Sequence, residues 1–191
     1  MKRFLCFGDS NTYGFNPLNF SRYNVAQRWS GILADKLNVI ECGCNNRSIF
    51  NNIGELNSLL VLSKYLKNDI SCVILQVGIN DLQFQYNVDL NVFESKLIEL
   101  IGLIKTDTDV ILLCPNVINE CILSSYFSQL FDKSSIEKSK RLPEIYKKVS
   151  DKMKCKFVDL NNFAEVSKID GIHYNAQNHE IIANVLFKIL N

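Results

Sequence analysis

Two histidines stand among 191 residues, and one of them, His173, follows an aspartate at a spacing that acid–base chemistry can use. In Asp170-Gly171-Ile172-His173 the carboxylate can reach Nδ1 of the imidazole within one turn, which fixes the tautomer and leaves Nε2 free as a base. The other histidine, His179, has no carboxylate before it at that spacing and lies in the final helical stretch. A base of this kind needs a nucleophile. Ser10, in Gly8-Asp9-Ser10-Asn11-Thr12-Tyr13-Gly14, comes directly after an apolar run. A hydroxyl at a strand-to-helix turn faces the crevice above a parallel sheet, and the first helical amides point at an oxyanion forming beside it. Taken alone, Asp-Ser-Asn is also an ordinary helix cap, and Asp170 with His173 an ordinary helix start.

Two further segments could serve the same chemistry. In Gln76-Val77-Gly78-Ile79-Asn80-Asp81, Gly78 lets the backbone approach a ligand and the Asn80 amide is a donor of the kind an oxyanion requires. The polar loop Gly43-Cys44-Asn45-Asn46-Arg47-Ser48 can offer backbone N–H groups. Each segment is unremarkable by itself, since Gly-Ile-Asn-Asp is also a common turn. Their coincidence points to one crevice, because each follows an apolar run or opens the last helix.

The elements that must position these groups are short apolar runs at Phe4 to Phe7, Leu37 to Ile40, Cys72 to Val77, Val110 to Cys114 and Lys156 to Val158, each read as a buried strand. Helical spacing separates them, most clearly at Phe93, Leu97, Leu100, Ile101 and Ile104, and again at Ile181, Ile182, Val185, Leu186 and Ile189. Strands alternating with helices imply parallel pairing through right-handed crossovers, with helices on both faces. The expected architecture is a three-layer α/β/α sandwich around a flavodoxin-like, parallel five-stranded sheet, with residues 1–191 as one domain. The aromatic-rich stretch Asn116 to Ser135 lacks a clear period and reads either as a binding loop or partial lid, or as a packed helical insertion.

Composition narrows the partners. With 21 Lys and Arg against 20 Asp and Glu, the net charge of +1 gives no footprint for nucleic acid or an anionic membrane. Seven cysteines, an odd number scattered mostly in apolar runs, suit reduced thiols. Cys42 and Cys44 lack the further ligands that a zinc site needs, so no metal is expected. The apolar run after Met1-Lys2-Arg3 stops at Gly8, too short for a secretory signal, and no stretch nears the roughly 20 apolar residues of a membrane span. A cytoplasmic protein is expected, and a homo-oligomer stays open.

These segments resemble the SGNH hydrolases, the GDSL-like esterases and lipases, through Gly8-Asp9-Ser10, Gly78-Ile79-Asn80-Asp81 and Asp170-Gly171-Ile172-His173. The Gly-Asp-Ser-Asn-Thr-Tyr-Gly form, Arg28-Trp29, Glu41 with Arg47-Ser48, and Lys138-Ser139 leading to Tyr146 resemble in particular the arylesterase and acyltransferase branch. The resemblance implies hydrolysis of carboxylic (acyl or acetyl) esters of small-molecule, lipid or carbohydrate alcohols through an acyl-enzyme without a cofactor: Ser10 as nucleophile, His173 as base, Asp170 orienting it, and the oxyanion held by the Ser10 and Asn46 backbone amides with the Asn80 side chain. Asp9, Asn11, Tyr13, Gly78 and Ile79 are then expected to line the substrate. Asn46 stands where the family usually has glycine, and asparagine tolerates left-handed backbone better than most residues. The same residues would serve acyl transfer to an alcohol or sugar. A non-catalytic flavodoxin-like module binding a phosphate at the helix after Ser10 is the alternative outside catalysis.

Overall fold

The computed structural model describes residues 2–190. Five strands, β1 (Phe4–Gly8), β2 (Val39–Gly43), β3 (Cys72–Gln76), β4 (Asp109–Cys114) and β5 (Lys156–Asp159), form one sheet in the order β2-β1-β3-β4-β5. All four pairings are parallel. The helices are α1 (Ser10–Tyr13), α2 (Trp29–Ala34), α3 (Ser58–Tyr65), α4 (Leu90–Gly102), α5 (Lys133–Ser139), α6 (Leu142–Met153) and α7 (Ala176–Leu190).

Alternation along each strand divides the apolar residues between two layers. Leu5, Phe7, Val73, Leu75 and Leu112 pack against α3, α4 and α6 through Val61, Leu62, Phe93, Leu97, Leu142, Tyr146 and Val149. Their neighbours Phe4, Cys6, Cys72, Ile74, Ile111 and Leu113 face α2 and α7 through Trp29, Leu33, Ile182, Ala183 and Leu186. Because side chains on a strand alternate and both faces are covered, nearly every strand position must be apolar. That is why the strands read as continuous runs.

The second strand lies later than its apolar run predicts, extending through Glu41 to Gly43. A charge is tolerated there because Arg28 grips the Glu41 carboxylate at two points, Nε to Oε2 at 2.7 Å and Nη2 to Oε1 at 2.6 Å, and the Ser30 hydroxyl donates to it at 2.6 Å. Burial raises the Glu41 pKa, but these bonds outweigh it and hold the carboxyl below its ordinary value. The stretch from 116 to 135 is neither one helix nor an open loop. It folds as two short 3₁₀ turns, Glu120–Ser124 and Tyr126–Gln129, followed by the start of α5.

From β1 the chain moves to β2 on one side and then crosses back over β1 to β3 on the other, so the carboxyl end of β1 is the switch point of the sheet, where open α/β sheets collect ligands. Ser10 lies just past that end. Among the described residues no helix is long and apolar enough to cross a membrane.

Candidate active site

Ser10 opens α1, whose preceding residue Asp9 turns its carboxylate onto the Asn11 N–H at 2.9 Å and so caps the helix. From the far end of the chain, the loop before α7 brings in His173. Its Nε2 lies 2.8 Å from the Ser10 hydroxyl, and its Nδ1 lies 2.7 Å from Asp170 Oδ2. A carboxylate can only accept, so Nδ1 carries a proton, and in the neutral imidazole Nε2 presents its lone pair to the serine. The other carboxylate oxygen of Asp170 accepts the N–H groups of Ile172 and His173, each at 3.1 Å. Burial raises the Asp170 pKa, while the His173 hydrogen bond and charge and these two amides more than compensate, so the group sits below its ordinary value. Asp170 therefore stays anionic, as a group that orients an imidazole must.

Two devices fix the histidine loop. Asn11 donates to the Ile172 carbonyl at 3.0 Å and accepts the Tyr174 N–H at 3.2 Å, gripping the backbone on either side of His173. The segment after β4 braces it from outside, with the Asn119 N–H donating to the Gly171 carbonyl at 2.9 Å. Gly171 has φ 76°, and a Cβ there would lie 2.6 Å from the Asn119 oxygen, so only glycine fits. Phe15 and Phe127 close over the imidazole, their ring centroids 4.3 and 5.2 Å from it.

The opposite wall comes from the loops after β2 and β3. Asn46 has φ 60°, the left-handed backbone that asparagine accepts. Among the described residues no loop or cap carbonyl takes the N–H of Ser10 or Asn46. The Asn80 side chain is aimed by two bonds: its Nδ2 donates to the Arg47 carbonyl at 3.1 Å and its Oδ1 accepts from Gln83 at 3.3 Å. One N–H of the Asn80 amide is left for another acceptor. The Asn46 loop is anchored by two buried polar side chains. Arg47 donates to the Gly8 carbonyl at 3.0 Å and the Glu55 carbonyl at 3.0 Å, with its guanidinium 4.5 Å over the Phe7 ring. Asp81 accepts the Ile49 and Phe50 N–H groups at 2.7 and 2.9 Å.

Between the two walls lies a cavity of about 110 Å³ lined by Ser10, Phe15, Asn45, Asn46, Asn80, Phe127, Phe131, Ile172 and His173. Ser10, Asn46, Asn80 and His173 thus meet at one cavity, with Asp170 behind the imidazole. The five residues expected to line the substrate lie elsewhere. Asp9 and Asn11 are buried as cap and brace. Tyr13 lies under the Arg22 guanidinium at 4.6 Å. Gly78 passes beneath the Tyr146 hydroxyl, which donates to the Val77 carbonyl, and Ile79 is part of the core. Phe127 and Phe131 come from the 116–135 stretch that the sequence offered as a binding loop or partial lid, whereas Phe15, and Arg47 and Asp81 in anchoring roles, were not singled out in the sequence. His179 is fully buried, accepts the Trp29 N–H at 3.4 Å, and has its pKa pushed by burial down to about 3, so it stays neutral behind the site. A larger groove of about 750 Å³ at the amino-terminal ends of the strands is lined by residues such as Lys2, Lys105 and Lys156 and contains none of these groups.

The model of the GDSL-like lipase/acylhydrolase family matches residues 6–181. The chain belongs to that family, the SGNH hydrolases, and is a carboxylic ester hydrolase. Its fold is similar to that of Est24, a carbohydrate acetylesterase from Sinorhizobium meliloti, at 26% identity and TM-score 0.87, over 100% of this chain and 99% of that one. It is similar in fold to the inhibitor-bound aryl esterase of M. smegmatis, at 23% identity and TM-score 0.88 over 100% and 98% of the two chains. A putative arylesterase from Agrobacterium tumefaciens gives 24% identity and TM-score 0.87 over 100% and 98%. No curated protein matches the sequence significantly.

Proposed function

We propose that the chain hydrolyses small-molecule esters of short carboxylic acids through an acyl-enzyme on Ser10. The observation that carries this reading is the unbroken line from Asp170 Oδ2 to His173 Nδ1 and from His173 Nε2 to the Ser10 hydroxyl, at 2.7 and 2.8 Å. As Ser10 Oγ attacks the ester carbon, His173 Nε2 takes the serine proton and the carbonyl electron pair moves onto its oxygen. The Ser10 and Asn46 N–H groups and the free N–H of the Asn80 amide receive that negative charge. When the tetrahedral intermediate collapses, the bond to the alcohol oxygen breaks and His173 returns the proton to it. Water, deprotonated by the same nitrogen, then attacks the acyl-enzyme; the acyl–Oγ bond breaks, His173 returns the proton to Ser10 Oγ and the acid leaves.

A short acyl group suits the crevice beside Ser10, whose volume of about 110 Å³ is below that of the roughly 150 Å³ apolar cavity that accommodates benzene. Phe131 and Ile172 are among the bulky side chains that bound it. The acetylesterase named among the similar structures agrees with such an acyl group. A panel of p-nitrophenyl esters of increasing chain length, run on wild type and Ser10→Ala, tests the reading. Turnover should fall steeply beyond acyl chains of about four carbons, and the variant should lose at least about a thousandfold in kcat. A flat chain-length profile removes the short-acyl assignment, and an active Ser10→Ala removes the nucleophile.

A further inference from the structure

The two sides of the scissile bond meet different surfaces. His173 must deliver its proton to the departing alcohol oxygen, so the alcohol leaves on the imidazole side, away from Asn46 and Asn80. On that side stand aromatic rings in two tiers. Phe15 and Phe127 touch the imidazole and line the cavity. Beyond them, Phe20 and Tyr126 meet edge to face with centroids 5.6 Å apart, Phe20 lying 5.8 Å from Phe15 and Tyr126 5.5 Å from Phe127.

The outer pair has the marks of a binding surface. Phe20 and Tyr126 are 56% and 66% exposed, which core packing would not leave to two large rings side by side. Phe20 also has φ 60°, a conformation that a bulky L-residue adopts only under strain. The surrounding hairpin enforces it. Phe15 and Arg22 pair as an antiparallel bridge, the Phe20 N–H closes onto the Asn16 carbonyl at 2.9 Å, and Arg22 Nε ties the base to the Tyr13 carbonyl at 2.8 Å.

We propose that Phe20 and Tyr126 form the alcohol subsite of the enzyme, which holds a leaving group that presents a flat apolar face, either an aryl ring or the C–H face of a sugar ring. The proposal rests on the reading of Ser10 as nucleophile and His173 as base. Because the alcohol departs before water attacks, the subsite acts on acylation and has no contact with the acyl-enzyme.

The test uses acetates that share one acyl group: phenyl acetate, an acetylated monosaccharide and ethyl acetate, on wild type, Phe20→Gly and Tyr126→Ala. Glycine keeps the backbone at φ 60° while removing the ring. Each variant should lose up to about tenfold in kcat/KM on the flat-faced alcohol the subsite recognises, keep ethyl acetate within about twofold, and leave the deacylation rate unchanged. A loss confined to phenyl acetate or to the sugar acetate supports the subsite and identifies its ligand. An equal loss on ethyl acetate, a changed deacylation rate, or no loss on either flat-faced ester overturns it. If wild type cleaves none of the three, or Ser10→Ala cleaves them equally well, the failure lies in the nucleophile assignment instead.

Discussion

Replacing Asn46 separates the two things this residue can supply, a backbone N–H and a side chain. Its φ of 60° sets the energetics. Left-handed backbone costs an ordinary L-residue about 1–2 kcal/mol, less for asparagine and nothing for glycine. Asn46→Ala should therefore destabilise the fold by about 1 kcal/mol, a fall in Tm of about 2–4 °C for a chain of this size. In Asn46→Gly the relief of strain is offset by the greater freedom of the unfolded chain, about 0.4–1 kcal/mol, so its Tm should stay close to wild type. Both variants keep the N–H, and kcat on p-nitrophenyl acetate should stay within about tenfold of wild type, where loss of an oxyanion donor costs about 10²–10³. Proline is no clean deletion here, because its φ near −65° cannot match this backbone. A folded Asn46→Gly enzyme whose kcat collapses would show that the side chain does the work, and the backbone-donor role would fall.

Other perturbations read other parts of the site. Asn80→Ala should lower kcat by about 10²–10³ with little change in KM, measured by steady-state kinetics, because in the proposed mechanism its N–H bonds chiefly to the developing charge. The double variant of Ser10→Ala with His173→Ala should be little slower than either single one, since the pair acts as a unit. Burial raises Asp81 from 3.8 to about 7 despite the amides that favour its charged form. The folded state thus holds this proton more tightly than the unfolded chain, so its contribution to stability falls as pH rises from about 4 to 7, by up to about 1.4 kcal/mol per unit. Asp81→Asn removes that penalty, and its Tm should gain on wild type progressively across this window, most above pH 7. A pH-independent offset in thermal melts would contradict the assignment.

All five strands were legible as apolar runs because two covered faces leave little room for polar positions. The exception, β2, runs to Gly43 through Glu41, whose charge is cancelled by an arginine distant in sequence, a pairing that periodicity cannot register. The two 3₁₀ turns after β4 were not legible, since their aromatic residues serve the neighbouring loops instead of one helical face. At the site, the serine, the histidine and both asparagines could be located because each sits where a strand or loop opens on the crevice. Their sequence neighbours were misleading: Asp9 and Asn11 flank Ser10 yet turn into the protein, where one caps α1 and the other holds the histidine loop. Of the aromatic wall, Phe127 fell in the stretch read as a binding loop or partial lid, while Phe15 gave no signal. Phe15 and Phe127 come from opposite halves of the chain and converge only in three dimensions.

In the proposed mechanism Ser10, activated by His173, carries the acyl group. Mass spectrometry of the protein quenched during turnover of p-nitrophenyl acetate, followed by peptide mapping, tests it directly. One acetyl group should appear on the peptide containing Ser10 in wild type and none there in Ser10→Ala, and its formation should be slowed by at least about a thousandfold in His173→Ala. An acetyl group on another residue that turns over at the catalytic rate, or undiminished hydrolysis by Ser10→Ala, would contradict it.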